Sequence, residues 1–376
     1  MTAPDTVVVG GGVIGASIAW RAAERGLSVT MVDPSPGRGA SWAAAGMLAP
    51  VTEVHYGEEA LLELNLASSA AYQQFVTELS EASGRDPGYV RCGTLTVARD
   101  ADDNAALDDL FEFQKGLGLD VERLRGRECR RLEPALAPST RGGILVSGDH
   151  QVDNRALMGA LLSAAERRGV RIVHQRAEGL ELESDRVSRV RLADGEFISC
   201  SSVVLAAGAF SDSIKGLPPG VVPPVRPVKG QLLHLRGPAE ARLATRNVRG
   251  LDAYIVTRPD GRVVIGATVE ERGFDERATA GGVHDLLRAG FELLPGVTEL
   301  ELAETSVGLR PTTPDNAPIV GKSDVEGLVI ATGHYRNGVL LAPITSAAIV
   351  DLLATGEVSE LIEAFSPARF SRERIA

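Results

Sequence analysis

Apolar positions change their period within the first twenty residues. Val7–Val9 is a continuous apolar run of strand length, and from Val13 the residues Val13, Ile14, Ala16, Ile18, Ala19 and Trp20 open a helix. Leu27–Val32 returns to strand character and stops at Asp33. Helical spacing of Leu61, Leu62, Leu64, Leu66, Ala70, Phe75 and Leu79 predicts a helix over Glu58–Ser83. Strand Gly93–Ala98, the Asp-rich helix Ala101–Leu119 and strand Gly142–Val146 follow. Asn154–Gly169 carries Leu157, Leu161, Leu162 and Ala165 on one face, with Gly169 placed to stop it. Val170–His174 is a strand, then turns at Ser184-Asp185 and Ala193-Asp194-Gly195 mark a hairpin, and Ser202–Ala207 reads as a buried strand.

Composition shifts at Gly216–Pro227, where five prolines make a linker. Beyond it Gly230–Leu235, Ala253–Thr257 and Arg262–Thr268 alternate as antiparallel strands, the last two joined by the Arg258-Pro259-Asp260-Gly261 turn. A helix over Gly282–Leu294, strand Gly327–Ala331 and helix Val339–Leu353 complete the pattern. Strand–helix–strand recurrence on both sides of an antiparallel insert predicts an α/β protein. Its first unit is a doubly wound, Rossmann-like domain assembled from residues 1–85, 147–220 and 305–376. A mainly antiparallel-sheet substrate domain comes from 86–146 and 221–304.

The turn between the first strand and helix carries Gly10, Gly12 and Gly15, the G-x-G-x-x-G spacing. Glycine there permits a tight turn, close approach of backbone to a pyrophosphate and close packing of helix on strand. The helix start adds unpaired N–H groups and positive dipole potential. Asp33 stands where a ribose hydroxyl is expected. This context makes a dinucleotide site the leading reading. The small-residue run Ala40–Leu48 comes next, suited to lie against something bulky.

Net charge is −11, from 39 Lys+Arg against 50 Asp+Glu, which argues against nucleic acid or an anionic membrane as a main partner. Cys92, Cys129 and Cys200 have no metal-ligand spacing and fit reduced thiols of a cytoplasmic protein. Val7–Ile14 is broken by three glycines and so makes no signal-peptide core; no uninterrupted apolar run of about 18 residues is expected to span a membrane.

Six segments in order carry a resemblance: VVGGGVIG at Val8–Gly15, ASWAAAGMLAP at Ala40–Pro50, PVKGQ at Pro227–Gln231, AYIVTRPDGRVVIGAT at Ala253–Thr268, GLRPTTPDNAPIVG at Gly308–Gly321 and ATGHYRNGVLLAP at Ala331–Pro343. Together they resemble the D-amino-acid oxidase superfamily of flavoenzymes, and within it the glycine oxidases associated with thiamine synthesis. The resemblance implies FAD, held noncovalently because no cysteine lies in the C-terminal flavin-lining segment. Its ADP half would lie on Gly10, Gly12, Val13, Ile14, Gly15, Asp33 and Pro34. Ala40 and Ser41 would meet the pyrophosphate, Ala45, Gly46 and Met47 the isoalloxazine, and Ala177 the adenine. His334, Tyr335, Arg336, Asn337, Gly338, Val339 and Leu340 would line the flavin where reduction builds negative charge, at a helix start.

For substrate, the implied clamp is Arg310, whose guanidinium matches a carboxylate bidentately. Tyr254 would donate to the same carboxylate, and Arg336 would line the pocket. The implied reaction is oxidative deamination of glycine, or of a small amine such as sarcosine or D-alanine, with dioxygen as acceptor and hydrogen peroxide as product. Two alternatives stay open: a dehydrogenase of the same fold with another acceptor, and a flavin-binding subunit without turnover. Relatives of this kind also suggest a homotetramer.

Overall fold

A computed structural model describes residues 4–370. Its first sheet has six strands in the order Ile319–Lys322, Leu328–Thr332, Ser202–Leu205, Thr6–Val9, Val29–Val32 and Arg171–Val173. All neighbours are parallel except the edge pair Ile319–Lys322 with Leu328–Thr332. Pleating divides the central strand between two cores. Val8 packs into a helical layer made by Val13–Glu24, Glu59–Ser83, Asn154–Arg167 and Gly338–Thr355. Val7 and Val9 face the other way, onto the three-stranded meander Ala177–Glu183, Arg186–Leu192 and Phe197–Ser199. The Rossmann-like α/β domain therefore carries helices on one face of its sheet. The other face, where a doubly wound chain would lay more helices, is covered by that meander.

The second sheet has eight strands: Glu301–Thr312, Arg226–Arg236, Arg262–Gly266, Tyr254–Thr257, Asn247–Arg249, Thr94–Ala98, Gly142–Val146 and Glu122–Arg125. It is antiparallel apart from one parallel pairing, Asn247–Arg249 beside Thr94–Ala98. Leu233, Ile255 and Ile265 bury one face under the helix Ala280–Leu293. Leu232, Val256 and Val264 bury the other against Ala43 and Ala45 of the first domain. The sheet thus presents one face to the small-residue run that follows the dinucleotide motif.

Two differences from the sequence expectation matter for the site. The twelve-residue strand Glu301–Thr312 pairs along its length with Arg226–Arg236. Residues 305–312, expected in the nucleotide-binding segments, therefore belong to the second sheet, and Arg310 with them. The strand is hard to read because its first half mixes polar and apolar residues without alternation and is exposed at Glu301-Leu302-Ala303 and half-buried at Glu304-Thr305, as an edge strand permits. Secondly, Gly338–Thr355 is long and apolar enough to cross a membrane, with mean hydropathy 1.8, although no such run was expected. Here it is mostly buried as the central core helix of the first domain.

Candidate active site

A single elongated cavity of about 1320 Å³ runs from the dinucleotide motif to the second sheet. At one end it is lined by Gly10, Gly12, Val13, Ile14, Asp33, Pro34 and Ala177. Ala40, Ser41, Ala45, Gly46 and Met47 line its middle, and His334 to Leu340, with Tyr254 and Arg310, its far end. Gly15 is the one expected site residue off the wall. It serves behind it, because a Cβ there would stand 1.9 Å from the Gly10 carbonyl oxygen. Only glycine lets the helix settle so closely on the strand turn.

Local bonds shape this end. The Asp33 carboxylate accepts from the N–H of Gly11 at 2.7 Å and of Ser35 at 2.7 Å, which fixes the acid at the cavity edge. Ser41 Oγ accepts from the Val13 N–H at 2.9 Å and ties the small-residue run to the helix start. Asn154 donates to the carbonyls of Ser41 and Trp42 from the opposite side.

The helices Val13–Glu24 and Gly338–Thr355 both begin on the cavity wall, and neither is capped by the side chain at its N-cap, Gly12 or Asn337. Such helix starts offer their remaining N–H donors and positive potential to anionic groups, the Val13 N–H being already held by Ser41. The wall fits a dinucleotide: a backbone cradle at the ribose–pyrophosphate end and a second uncapped helix start where a ring would carry charge. His334, in the second wall segment, is buried, donates to or accepts from Thr345 Oγ1 at 3.1 Å, and has its pKa lowered by burial to about 3, so it is neutral at pH 7. None of Cys92, Cys129 and Cys200 lines the cavity.

At the far end two side chains stand on glycine floors. Arg310 lies across Gly230, where a Cβ would come within 2.4 Å of both terminal guanidinium nitrogens. It donates to the Thr268 carbonyl at 3.1 Å and, longer, to that of Lys229 at 3.4 Å. Tyr254 lies across Gly266, its cross-strand partner, in the same manner. Burial raises the Tyr254 pKa, against the pull of Arg310, so the phenol remains a neutral donor.

Beside them the structure adds residues that sequence reasoning missed: Glu53, His55 and Arg249. Glu53 pairs with Arg249 and, at 3.1 Å, with Arg336. Arg336 also pairs with Glu58 at 2.6 Å. Burial would raise the Glu53 pKa, but Arg249 and Arg336 outweigh it and hold the carboxyl below its ordinary value. Burial, then Arg336, lowers the His55 pKa. Arg336 therefore reaches the cavity wall with its charge already answered. Of Arg249, Arg310 and Arg336, only Arg310 has no carboxylate partner among the described residues.

Such an assembly, a dinucleotide cradle closed by a second sheet that brings Arg310 and a neutral phenol to the same cavity wall, is that of a nucleotide-cofactor oxidoreductase. The chain belongs to the DAO family of FAD dependent oxidoreductases, whose model matches residues 5–352. FAD is its cofactor. The chain is 34% identical to the glycine oxidase of Geobacillus kaustophilus over 97% of each protein. The crystal structure of the Geobacillus kaustophilus glycine oxidase superposes with a TM-score of 0.91, covering 98% of this chain and 99% of that one. The bifunctional protein ThiO/ThiG of Synechocystis sp. is 36% identical over 98% of this chain but 54% of its own length. The chain thus spans about half the length of the ThiO/ThiG relatives it matches.

Proposed function

We propose that the chain catalyses FAD-dependent oxidative deamination of glycine to glyoxylate, ammonia and hydrogen peroxide, and the corresponding oxidation of small amines such as sarcosine, which gives glyoxylate, methylamine and hydrogen peroxide, with supply of thiamine synthesis as its role. The observation that carries this reading is Arg310, a partly buried cation without a carboxylate partner among the described residues, beside the neutral phenol of Tyr254 at the end of the cavity. An α-carboxylate answers both groups, accepting a bidentate pair from Arg310 and a bond from Tyr254.

With the carboxylate fixed there, the α-carbon is directed back along the cavity toward Met47 and the His334–Leu340 wall. Bound FAD supplies a two-electron acceptor at that wall. The chain's own contribution is orientation. Gly230 and Gly266 let the two clamping side chains lie flat, and Thr268 holds the guanidinium in plane. Neutral Tyr254 leaves Arg310 its full charge for the substrate. The start of Gly338–Thr355 offers N–H groups to the charge that reduction builds. Glycine, dioxygen and water balance as glyoxylate, ammonia and hydrogen peroxide, the two electrons passing from the α-carbon to dioxygen. With no cysteine on the wall, no cysteinyl bond ties the cofactor to the chain.

Anaerobic mixing of the purified holoprotein with glycine tests the reading. Bleaching of the flavin absorbance, then recovery in air with one peroxide per glycine consumed, is expected. A flavin that stays oxidised with glycine, sarcosine and D-alanine overturns it.

A further inference from the structure

Arg249 ends the strand Asn247–Arg249 and is the direct cross-strand partner of Tyr254. The four residues between them close a tight loop through the Gly250 N–H bonded to the Ala253 carbonyl at 2.7 Å. Neighbouring Val248 is buried in the core on the opposite face, so Arg249 shares the cavity face with Tyr254. Cross-strand partners have Cβ atoms about 4.5–5.5 Å apart. A second guanidinium therefore lies one side-chain width beyond the clamp.

Its charge is answered by Glu53, and that partnership can be exchanged. Glu53 keeps Arg336 when Arg249 turns to another anion, and Arg336 keeps Glu58. No buried charge is left without a partner, the condition that makes breaking a buried pair costly. The opposite exchange, an ammonium arriving at Glu53, would strand Arg249 beside Arg310. The arrangement is thus asymmetric and favours an incoming anion.

We propose that Arg249 is a second carboxylate-binding position, and that this site oxidises amino acids carrying two carboxylates, the second borne by a carboxymethyl group on the nitrogen or on the α-carbon. The inference rests on the reading that Arg310 and Tyr254 take the first carboxylate. Iminodiacetate and D-aspartate have the required short spacing between carboxylates. For iminodiacetate, one C–H leaves with its electron pair and the N–H loses a proton, forming C=N. Water then adds and the carbon–nitrogen bond breaks, giving glyoxylate and glycine. The two electrons and two protons end on dioxygen as hydrogen peroxide.

The test uses the FAD-loaded protein, Arg249→Gln and Glu53→Gln. Oxidation of glycine, iminodiacetate and D-aspartate is followed as peroxide, and binding is read from the flavin spectrum with diglycolate, which has two carboxylates and no amine, against methoxyacetate, which has one. Native protein should oxidise at least one dicarboxylate and bind diglycolate at least about 10-fold more tightly than methoxyacetate. In Arg249→Gln the ratio of kcat/KM for that dicarboxylate to kcat/KM for glycine should fall about 10- to 100-fold, mainly through KM, the size of a charge-assisted hydrogen bond. The diglycolate preference should vanish with it. Glu53→Gln, which releases Arg249, should lower the dicarboxylate KM, and it carries the test alone if Arg249→Gln does not fold. Glycine turnover without dicarboxylate turnover or diglycolate preference overturns the second site and leaves the function reading standing. Equal losses on all substrates in Arg249→Gln, or an unchanged KM in Glu53→Gln, also overturn it. Failure of glycine itself sinks the function reading, while an Arg249-dependent diglycolate preference would still support the anion site.

Discussion

At the nucleotide end of the cavity the wall is backbone. Gly10 and Gly15 meet face to face, a serine hydroxyl and an aspartate carboxylate hold loop N–H groups, and two helix starts point inward. At the substrate end the wall is side chains: Arg310, Tyr254, Arg249 and Glu53, carried by three strands and a loop and supported by bare glycine floors. Both ends depend on glycine for opposite reasons. At the first, glycine brings backbone to backbone. At the second, it makes room for a long polar side chain to lie down. The first arrangement tolerates nothing added, whereas the second should respond in proportion to what is displaced.

Gly15→Val gives the largest expected effect. Its Cβ alone would stand 1.9 Å from the Gly10 oxygen, backbone that cannot move without unseating the first strand. Purified protein should be colourless, with flavin content reduced by more than about tenfold, if it is recovered folded at all. The ratio of flavin to protein absorbance checks it, and a yellow, stable Gly15→Val protein breaks the comparison at its first term.

Arg310→Ala should act on the other end only. Losing one member of a desolvated ion pair costs about 3–4 kcal/mol, or roughly 100- to 1000-fold in kcat/KM for glycine. The flavin spectrum should be retained. Steady-state kinetics beside flavin content separates the two ends, and loss of flavin in this variant would show that they are not independent.

How much of this was legible in sequence follows the same division. Gly10, Gly12, Gly15 and Asp33 announce themselves because a backbone site is local: spacing within one strand–turn–helix decides it. Arg310 and Tyr254 came from a family likeness, since their meeting depends on the register of strands far apart in the chain, with Arg310 opposite Val228 and Tyr254 opposite Gly266. Arg249 was within reach, because the short loop to Tyr254 makes the two cross-strand partners. Glu53 was not: it approaches from a loop about two hundred residues away. Arg336 was expected to line the substrate pocket with Arg310 and Tyr254 as well as the flavin. The structure spends its guanidinium on Glu53 and Glu58, a partnership no local pattern reveals.

Gly266→Ala sharpens the comparison with a smaller effect. The added methyl would meet the Tyr254 ring at 2.4 Å, and a side chain can give where backbone cannot. The ring should tilt off the substrate, raising the glycine KM by about tenfold, the worth of one hydrogen bond to a charged group. Flavin content should not change. A KM within about twofold of the native value would mean that Tyr254 does not hold the carboxylate.

The smallest expected effect tests whether the backbone end is truly independent of side chains. Pro343 lies in the Gly338–Thr355 helix and has no N–H, so the Val339 carbonyl loses its donor one turn on. The next carbonyl, that of Leu340, also takes a side-chain donor from outside the helix. Two residues of Glu59–Ser83, one turn apart on the same face, fill both places: Tyr72 donates to the Val339 carbonyl at 3.2 Å and Ser68 to that of Leu340 at 2.7 Å. Val339 and Leu340 line the cavity, so this buried pair fixes the helix start on the cavity wall. Burial raises the Tyr72 pKa, which keeps the phenol a donor throughout the working pH range. Tyr72→Phe preserves the packing and removes one donor, so urea unfolding should show a loss of about 1 kcal/mol. If the pair does set the helix start, the FAD dissociation constant of reconstituted apoprotein should rise severalfold as well. A stability loss with unchanged FAD affinity would confine Tyr72 to the core and leave the nucleotide end to backbone alone.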